Sequence, residues 1–147
     1  MEVEPFDLQK HSFFGGLVDD QIETVVSLMR RETFDEGAVI IREGEQNDRI
    51  WFLLSGRAEV TQRGILLDVF EEGDAFGEME VIDIMPAEAT IKTLSPARII
   101  SLSNSGLHEL SKRDLKAFSL LVMNLARDMS RRLRAMNRRY TARPEGQ

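Results

Sequence analysis

Residues 32–103 consist of short apolar runs separated by glycines. The runs return about every 8–12 residues and are rich in β-branched and aromatic side chains. The runs are Ala38–Ile41, Ile50–Leu54, Ala58–Thr61, Ile65–Phe70, Ala89–Leu94 and Ala97–Leu102. The glycines are Gly37, Gly44, Gly56, Gly64, Gly73 and Gly77. Many short strands at this spacing are typical of a β-sandwich or barrel, with a jelly roll among the options.

Helical patterns flank this β region on both sides. Asp19–Arg31 has apolar residues at helical spacing and predicts a short helix, with Asp19 or Asp20 as its cap. After the strands, a short helix follows Ser103 and a longer one begins near Asp114. The apolar positions of the longer helix lie three or four residues apart, close to a heptad repeat: Leu115, Phe118, Val122, Leu125, Met129, Leu133 and Met136. This helix is expected either to lie on its own domain or also to pair with a second copy.

Composition narrows the class of function. The chain has 147 residues and no cysteine, so disulfides, a thiol nucleophile and Cys-ligated metals are excluded. Its two histidines, His11 and His108, both lie outside residues 32–103, where a jelly-roll metal enzyme would need them. No apolar run approaches the roughly 18 residues of a membrane span. We therefore expect a cytoplasmic, single-domain protein without catalytic residues or a metal.

The charge is divided unevenly along the chain. Residues 1–126 carry 12 basic and 23 acidic residues, a net charge of −11, and residues 127–147 carry 7 basic and 2 acidic residues, a net charge of +5. An arginine-rich end can contact phosphates without sequence preference, and it is also typical of a solvated helix face near a C-terminus. No helix-turn-helix pattern accompanies it, so specific DNA binding is not expected.

The segment from Gly73 to Ile91 carries the most specific signal. A strand end leads into Phe76-Gly77-Glu78, and Gly77 permits a positive φ or a close backbone approach. A helical turn from Glu78 would direct free N–H groups toward a pocket mouth, which favours an anion. The Glu78 carboxylate could hold sugar hydroxyls.

These residues resemble the cyclic nucleotide-binding domain family. Phe76-Gly77-Glu78 and Pro86…Ala89-Thr90 match its pattern F-G-E-[LI]-A-L-…-P-R-A-A-T, and the spaced glycines agree with it. The resemblance covers residues 13–139 and implies an eight-stranded β-roll with flanking helices. The chain is most similar to the sensor domain of the catabolite activator group, in which the long helix forms the dimer and a DNA-binding domain follows.

The resemblance also implies a ligand, cAMP or cGMP, and a set of site residues. The ligand-binding positions that it implies are Gly77, Glu78, Met79, Glu80, Ala87, Ala89 and Thr90. Two positions on the long helix, Met136 and Asn137, fall where the family contacts the base.

The chain departs from the family where the phosphate is held. The family's phosphate-binding Arg corresponds to Ala87, or to Glu88 with a one-residue gap, and the small residue after F-G-E-[LI] is Glu80. Lys92 is the only basic residue between Gly64 and Ala97. An Arg–phosphate bond is worth roughly 1.5–3 kcal/mol, and a carboxylate near the phosphate adds about 3 kcal/mol of repulsion.

The expected domain arrangement is a lead (1–12), the cyclic nucleotide-binding-like domain (13–139) and a tail (140–147). In the domain, the β-roll spans about 32–103 and the C-terminal helices about 104–139.

Three hypotheses follow for the function of this chain. The first hypothesis is a regulatory sensor with a degenerate phosphate pocket that signals through the C-terminal helices. The second is an interaction module that has lost its ligand, its pocket closed by Met79, Glu80 or Met85. The third is a conventional cAMP or cGMP binder in which Lys92, an Arg of the last helix or backbone N–H groups take the place of the family's Arg. The expected partners are a second copy through the 114–139 helix and a protein effector, with no membrane.

Overall fold

Eight strands form two four-stranded antiparallel sheets in the computed structural model, which describes residues 5–142. The strands are β1 (Arg30–Phe34), β2 (Val39–Ile41), β3 (Arg49–Ser55), β4 (Ala58–Gln62), β5 (Ile65–Phe70), β6 (Ala75–Phe76), β7 (Thr90–Thr93) and β8 (Ala97–Ser103). One sheet has the order β1-β8-β3-β6 and the other β2-β7-β4-β5. The predicted mainly β roll with flanking helices is confirmed.

Five α-helices and one 3-10 turn surround the roll within the described residues. They are α1 (Pro5–Gln9), the turn Ser12–Phe14, α2 (Asp19–Ser27), α3 (Glu78–Asp83), α4 (Asn104–Arg113) and α5 (Leu115–Thr141). Ser103 caps α4 by accepting a hydrogen bond from Gly106 N at 3.0 Å, and Asp114 caps α5 in the same way. Across residues 5–142, none of the helices has the length and apolarity to cross a membrane.

The structure corrects the sequence prediction around β1. The helix predicted for Asp19–Arg31 ends at Ser27, because Arg30 and Arg31 already pair with β8. The cap of α2 is Val18, not Asp19 or Asp20, and its N–H donates to Gln21 Oε1 at 2.9 Å. Strand β1 has no apolar run and was not predicted, whereas the two-residue β6 coincides with the strand end predicted before Gly77.

Apolar side chains form two clusters, one on each face of the sheet that contains β3. The helix-side core comprises Leu8, Phe13, Phe14, Leu17, Ile22, Val25, Ile50, Phe52, Ala75, Ile100, Leu102, Leu110, Ala117, Leu121 and Leu125. The roll interior comprises Ile41, Trp51, Leu53, Ala58, Val60, Phe70, Phe76, Ala87, Ile91, Ala97 and Ile99. Strand β3 alternates between the clusters, because successive strand side chains point to opposite faces.

The long helix α5 packs on the body through its N-terminal half. Its buried residues are Ala117, Leu121, Asn124 and Leu125. Of the predicted heptad positions only Leu125 belongs to this buried row, and the exposed ones are Leu115, Val122, Leu133 and Met136. The heptad row therefore meets the body-facing row at Phe118 and Leu125, and its exposed members lie on the remaining surface of the helix.

The predicted lead contributes to the core. Leu8, in α1, is 2% exposed and lies in the helix-side core. Residues 1–4 of the predicted lead and 143–147 of the predicted tail lie outside the described residues.

Candidate functional site

The loop from β6 to β7, residues 77–90, begins at a glycine that no other residue could replace without movement. Gly77 has φ 84°, and a Cβ there would lie 2.8 Å from Arg49 O and 2.8 Å from Asn47 Nδ2. Both the left-handed backbone and the close approach require glycine. Gly77 thereby places Glu78 at the start of α3, directed into the protein.

Glu78 is buried and is held by a side chain from α5. Its exposed fraction is 3%, and Arg132 Nη1 donates to Glu78 Oε1 at 3.0 Å. The same guanidinium donates through Nη2 to Ala75 O at 2.6 Å and lies 5.2 Å from the centre of the Phe70 ring. Glu78 Oε2 is also buried, yet it has no hydrogen-bond partner among residues 5–142. Glu78 Oε2 is thus a buried hydrogen-bond acceptor without a donor among the described residues.

Burial has a direct electrostatic effect on Glu78. Loss of water raises the pKa of the Glu78 carboxyl, and the neighbouring Arg132 guanidinium lowers it in part. The net direction is upward, so the charged form costs more in the folded protein than in water.

Glu80 follows two residues later in α3 and is only partly exposed. Burial also raises the pKa of this carboxyl, and a long contact of 3.5 Å from Asn47 Nδ2 to Glu80 Oε1 opposes the rise. Asn47 also donates to Gly77 O at 3.0 Å and accepts from Trp51 Nε1 at 3.1 Å. Asn47 therefore ties Glu80 to the rim of the roll interior.

No cation occupies the position where the sequence resemblance implies one. Ala87 is buried in the roll interior, and its backbone pairs with the turn after β2: Ala87 N donates to Glu45 O, and Gly44 N donates to Ala87 O. Lys92, proposed from the sequence as a substitute, is exposed on β7 next to the inward-facing Ile91. Strand alternation therefore directs Lys92 away from the roll interior.

The other site residues implied by the resemblance lie in two places, at β7 and in the exposed part of the loop before it. Ala89 and Thr90 lie at the start of β7, where Thr90 Oγ1 accepts from Glu43 N at 3.0 Å. Met79 is 51% exposed and does not close the loop, and the same is true of Met85 at 59%.

The two expected base-contacting residues have different surroundings. Met136 lines a cleft of about 490 Å³ between β5 and α5, with Leu67, Asp68, Arg132 and Tyr140. Asn137 is exposed, is not among the cleft-lining residues, and its backbone O accepts from Thr141 Oγ1.

Sequence reasoning did not single out Arg132 or Asn47. Arg132 lies four residues before Met136, which was expected to contact the base, so both side chains are on one face of α5. That spacing was an available signal. Asn47 had none, because its partners at Gly77 and Glu80 are about 30 residues away and are brought to it only by the fold.

The described residues contain no group of three or more His, Cys, Asp or Glu side chains that could hold a metal ion. The site is thus built from two carboxylates, one guanidinium and one amide: Glu78, Glu80, Arg132 and Asn47.

Comparisons with known proteins agree on one family. A family model described as "Cyclic nucleotide-binding domain" matches residues 31–114. The cAMP-dependent protein kinase regulatory subunit of Debaryomyces hansenii is 32% identical over 97 residues, which is 65% of this chain and 22% of that protein. The chain therefore spans about a fifth of that relative's length.

Solved structures share the fold. The Thermus thermophilus Catabolite Activator Protein superposes with a TM-score of 0.77 and 23% identity, over 88% of this chain and 62% of that one. A cyclic nucleotide-binding domain from Methylobacillus flagellatus KT superposes with a TM-score of 0.84 and 21% identity, over 97% of this chain and 83% of that one.

Proposed function

The chain belongs to the cyclic nucleotide-binding domain family, and from this membership we propose that it is a regulatory domain in which a ligand beside Glu78 sets the position of α5. The resemblance to this family, and to the catabolite activator group within it, is confirmed. The family and the fold are those of regulatory domains and not of enzymes.

The observation that carries the proposal is the Glu78–Arg132 ion pair. It joins two residues 54 positions apart, at 3.0 Å, and it links the loop after β6 directly to α5. Beyond residue 126 most of α5 is exposed, so few other contacts hold this end of the helix to the roll. A ligand that bonds to Glu78 would compete with Arg132 or rearrange it, and the helix would respond.

The energetic scale supports such a switch. A charge-assisted hydrogen bond is worth about 1.5–3 kcal/mol, and a ligand shifts an equilibrium only by its difference in affinity for the two states. One exchanged pair at Glu78 is therefore enough to change the population of the docked helix about tenfold or more.

The test is amide hydrogen exchange along residues 127–141 in Arg132→Met. Removal of the guanidinium takes away the bonds to Glu78 and Ala75, so we expect at least fivefold faster exchange in this half of α5. The matched control is Arg131→Met, because Arg131 is exposed and pairs only with the neighbouring Asp128. Equal exchange in both variants would refute the coupling between site and helix.

The phosphate end of the proposed site is degenerate. Ala87 brings no charge, Lys92 points away, and Glu80 adds a carboxyl group beside Asn47. Family membership favours a cyclic nucleotide as the ligand, and the Debaryomyces hansenii relative is the regulatory subunit of a cAMP-dependent kinase. For this chain a conventional cAMP or cGMP site is the weaker version of the proposal, because no described cation replaces the family's Arg.

The heptad row of α5 supports a second copy of the chain as a partner. Leu115, Val122, Met129 and Met136 recur every seven residues, and Leu133 and Tyr140 widen the row. Leu115, Leu133, Met136 and Tyr140 are each at least 58% exposed. The exposed members of this row, spread over three repeats, fit an identical helix.

Sedimentation equilibrium tests the dimer. We expect Leu133→Glu to weaken association at least tenfold, because a charge would be buried in the seam. Met123→Glu is the control: Met123 is also apolar and 50% exposed, but it lies outside the heptad row. A wild type that stays monomeric at 100 μM would end this part of the proposal.

An interaction module without a ligand is the second candidate function. It is favoured by the aromatic rings that fill the roll: Trp51 stacks on Phe76 at 6.5 Å, and Phe76 stacks on Phe70 at 5.2 Å. It predicts no heat in calorimetry with any nucleoside or cyclic nucleotide at millimolar concentration. Calorimetric binding that is lost in Glu78→Gln would exclude it.

A further inference from the structure

The charges around Glu78 are already balanced before any ligand arrives. Arg132 is engaged by Glu78 and by Ala75 O. Three further cations are engaged or turned away: Arg42 lies 3.7 Å from Glu45, Arg49 donates to Ser101 Oγ at 3.1 Å, and Lys92 points outward. An incoming anion would meet Glu80 and none of these three cations, and Arg139 is a cation that lines the neighbouring cleft.

The buried acceptor at Glu78 imposes a second condition on the ligand. Oε2 is buried without a hydrogen-bond partner among the described residues, in a side chain that is 3% exposed. A buried acceptor is stabilised only by a donor. A phosphate diester monoanion has no hydrogen to donate, whereas a sugar hydroxyl does. The acceptor therefore fits a hydroxyl-bearing group and not the phosphate itself.

The position of Ala87 gives the third condition. In the roll interior it presents a methyl group, and its backbone N–H and C=O are both bonded to the turn at Gly44 and Glu45. The Ala87 N–H is therefore not left to donate to a phosphate oxygen, and the Ala87 side chain brings no charge.

The cleft beside Arg132 gives room for a base. Its volume of about 490 Å³ is within the roughly 300–1,000 Å³ that is usual for small-ligand sites. Leu67, Met136 and Tyr140 supply apolar and aromatic surface, and Asp68 supplies an acceptor. Arg132 borders this cleft and bonds to Glu78, so a sugar at Glu78 and a base in the cleft are neighbours.

From these observations we propose that the site takes an uncharged nucleoside, a vicinal diol with a base, in preference to a cyclic nucleotide. The inference rests on the proposed ligand site at Glu78 and adds the chemical class of its ligand. The diol donates to the unpartnered Glu78 Oε2, beside the oxygen that Arg132 holds, and the base enters the cleft. Discrimination comes from Glu80 and from the missing cation at Ala87.

The experiment is isothermal titration of the full chain with four nucleosides and their 3′,5′-cyclic phosphates at pH 8. We expect at least one nucleoside to bind at least tenfold more tightly than its cyclic phosphate. The corresponding 2′-deoxynucleoside is expected to bind at least tenfold more weakly, because one donor to a charged acceptor is lost.

The variant Glu80→Gln tests the source of the discrimination. Removing one carboxylate close to the phosphate is expected to improve cyclic nucleotide affinity at least tenfold more than it changes nucleoside affinity. Glu88→Gln is the control, since it removes the same charge from an exposed position in the same loop. A gain of the same size in both variants would mean that only net charge matters and would overturn the role of Glu80.

Two results would overturn the inference. A cyclic phosphate that binds the wild type as tightly as its nucleoside refutes the ligand class and leaves the regulatory proposal intact. No heat with any of the eight compounds at 5 mM refutes the nucleoside outright. The exchange experiment on Arg132→Met is independent of ligand, so it then decides the regulatory proposal separately.

Discussion

The two halves of α5 are attached to the same body in different ways. Residues 115–125 place Ala117, Leu121 and Leu125 in the helix-side core. In this half the buried Asn124 donates to Phe13 O at 3.1 Å and to Gly15 O at 2.9 Å. Residues 126–141 contribute nothing to either core and are held chiefly by Arg132 at Glu78, with a 3.2 Å contact from Ser12 Oγ to Asp128 Oδ2.

Under the proposed function, this difference would separate folding from regulation along one helix. Apolar burial is non-directional and large, so the first half is a fixed part of the domain. The second half depends on a polar contact, which is the kind of contact that the proposed ligand would replace. The border between the halves lies where α5 passes from the helix-side core to the site.

The largest expected effect is on the first half. Leu121→Ala removes a fully buried side chain and leaves a cavity, so we expect the free energy of unfolding to fall by about 3 kcal/mol. Urea denaturation monitored by Trp51 fluorescence measures it. Val122→Ala, at the next position but 39% exposed, is the control and should lose less than about 1 kcal/mol. Equal losses would contradict the assignment of the two helix faces.

A smaller effect is expected at Glu78, and it depends on pH. Because the pKa of Glu78 is raised above its ordinary value of 4.5, its contribution to stability is full below that pH and is lost as pH rises through the folded-state pKa. Glu78→Gln does not titrate. The wild type should therefore lose stability relative to Glu78→Gln as pH rises from 4.5 through the folded-state pKa.

Denaturant titrations of both proteins at pH 4, 5, 6, 7 and 8 measure this difference. Glu80→Gln is measured at the same pH values, because burial also raises the pKa of Glu80. The hydrogen bond from Asn47 lowers that pKa in part. A difference between wild type and Glu78→Gln that grows in the opposite direction would mean that Arg132 outweighs the burial of Glu78.

The smallest effect is expected at the other contact of the second half. Ser12→Ala removes only the partly solvated hydrogen bond to Asp128, so unfolding free energy and α5 exchange should change little, by less than about 0.5 kcal/mol. The same exchange measurement used for Arg132→Met checks it. A large increase in α5 exchange would mean that the contact with the 3-10 turn, and not the contact with Glu78, holds this half of α5.

Much of the fold was readable from local patterns. The glycine-spaced apolar runs predicted β2, β3, β4, β5, β7 and β8, and the helical spacings predicted α4 and α5. Strand β1 was missed because its sequence, Arg-Arg-Glu-Thr-Phe, has no apolar alternation, and its pairing partner β8 lies far away in the chain. Tertiary pairing overrode local propensity there.

The site was readable only in part. Gly77 and Glu78 stood out because a glycine before a carboxylate at a strand end is a local pattern, and the missing Arg was visible at Ala87. The partner of Glu78 was not, since Arg132 is one of seven arginines in the last 21 residues and nothing local distinguishes it. Asn47 was missed for the same reason.

The sequence by itself determined the β-roll, the two helices after it and the absence of a cation near the expected phosphate. These depend on side-chain period, glycine placement and residue identity, all of which are local. Only the tertiary structure decided that Arg132 meets Glu78, that Lys92 faces outward and that one half of α5 is packed while the other is held by a polar pair. Those outcomes depend on how α5 docks on the roll, which brings together residues 54 positions apart.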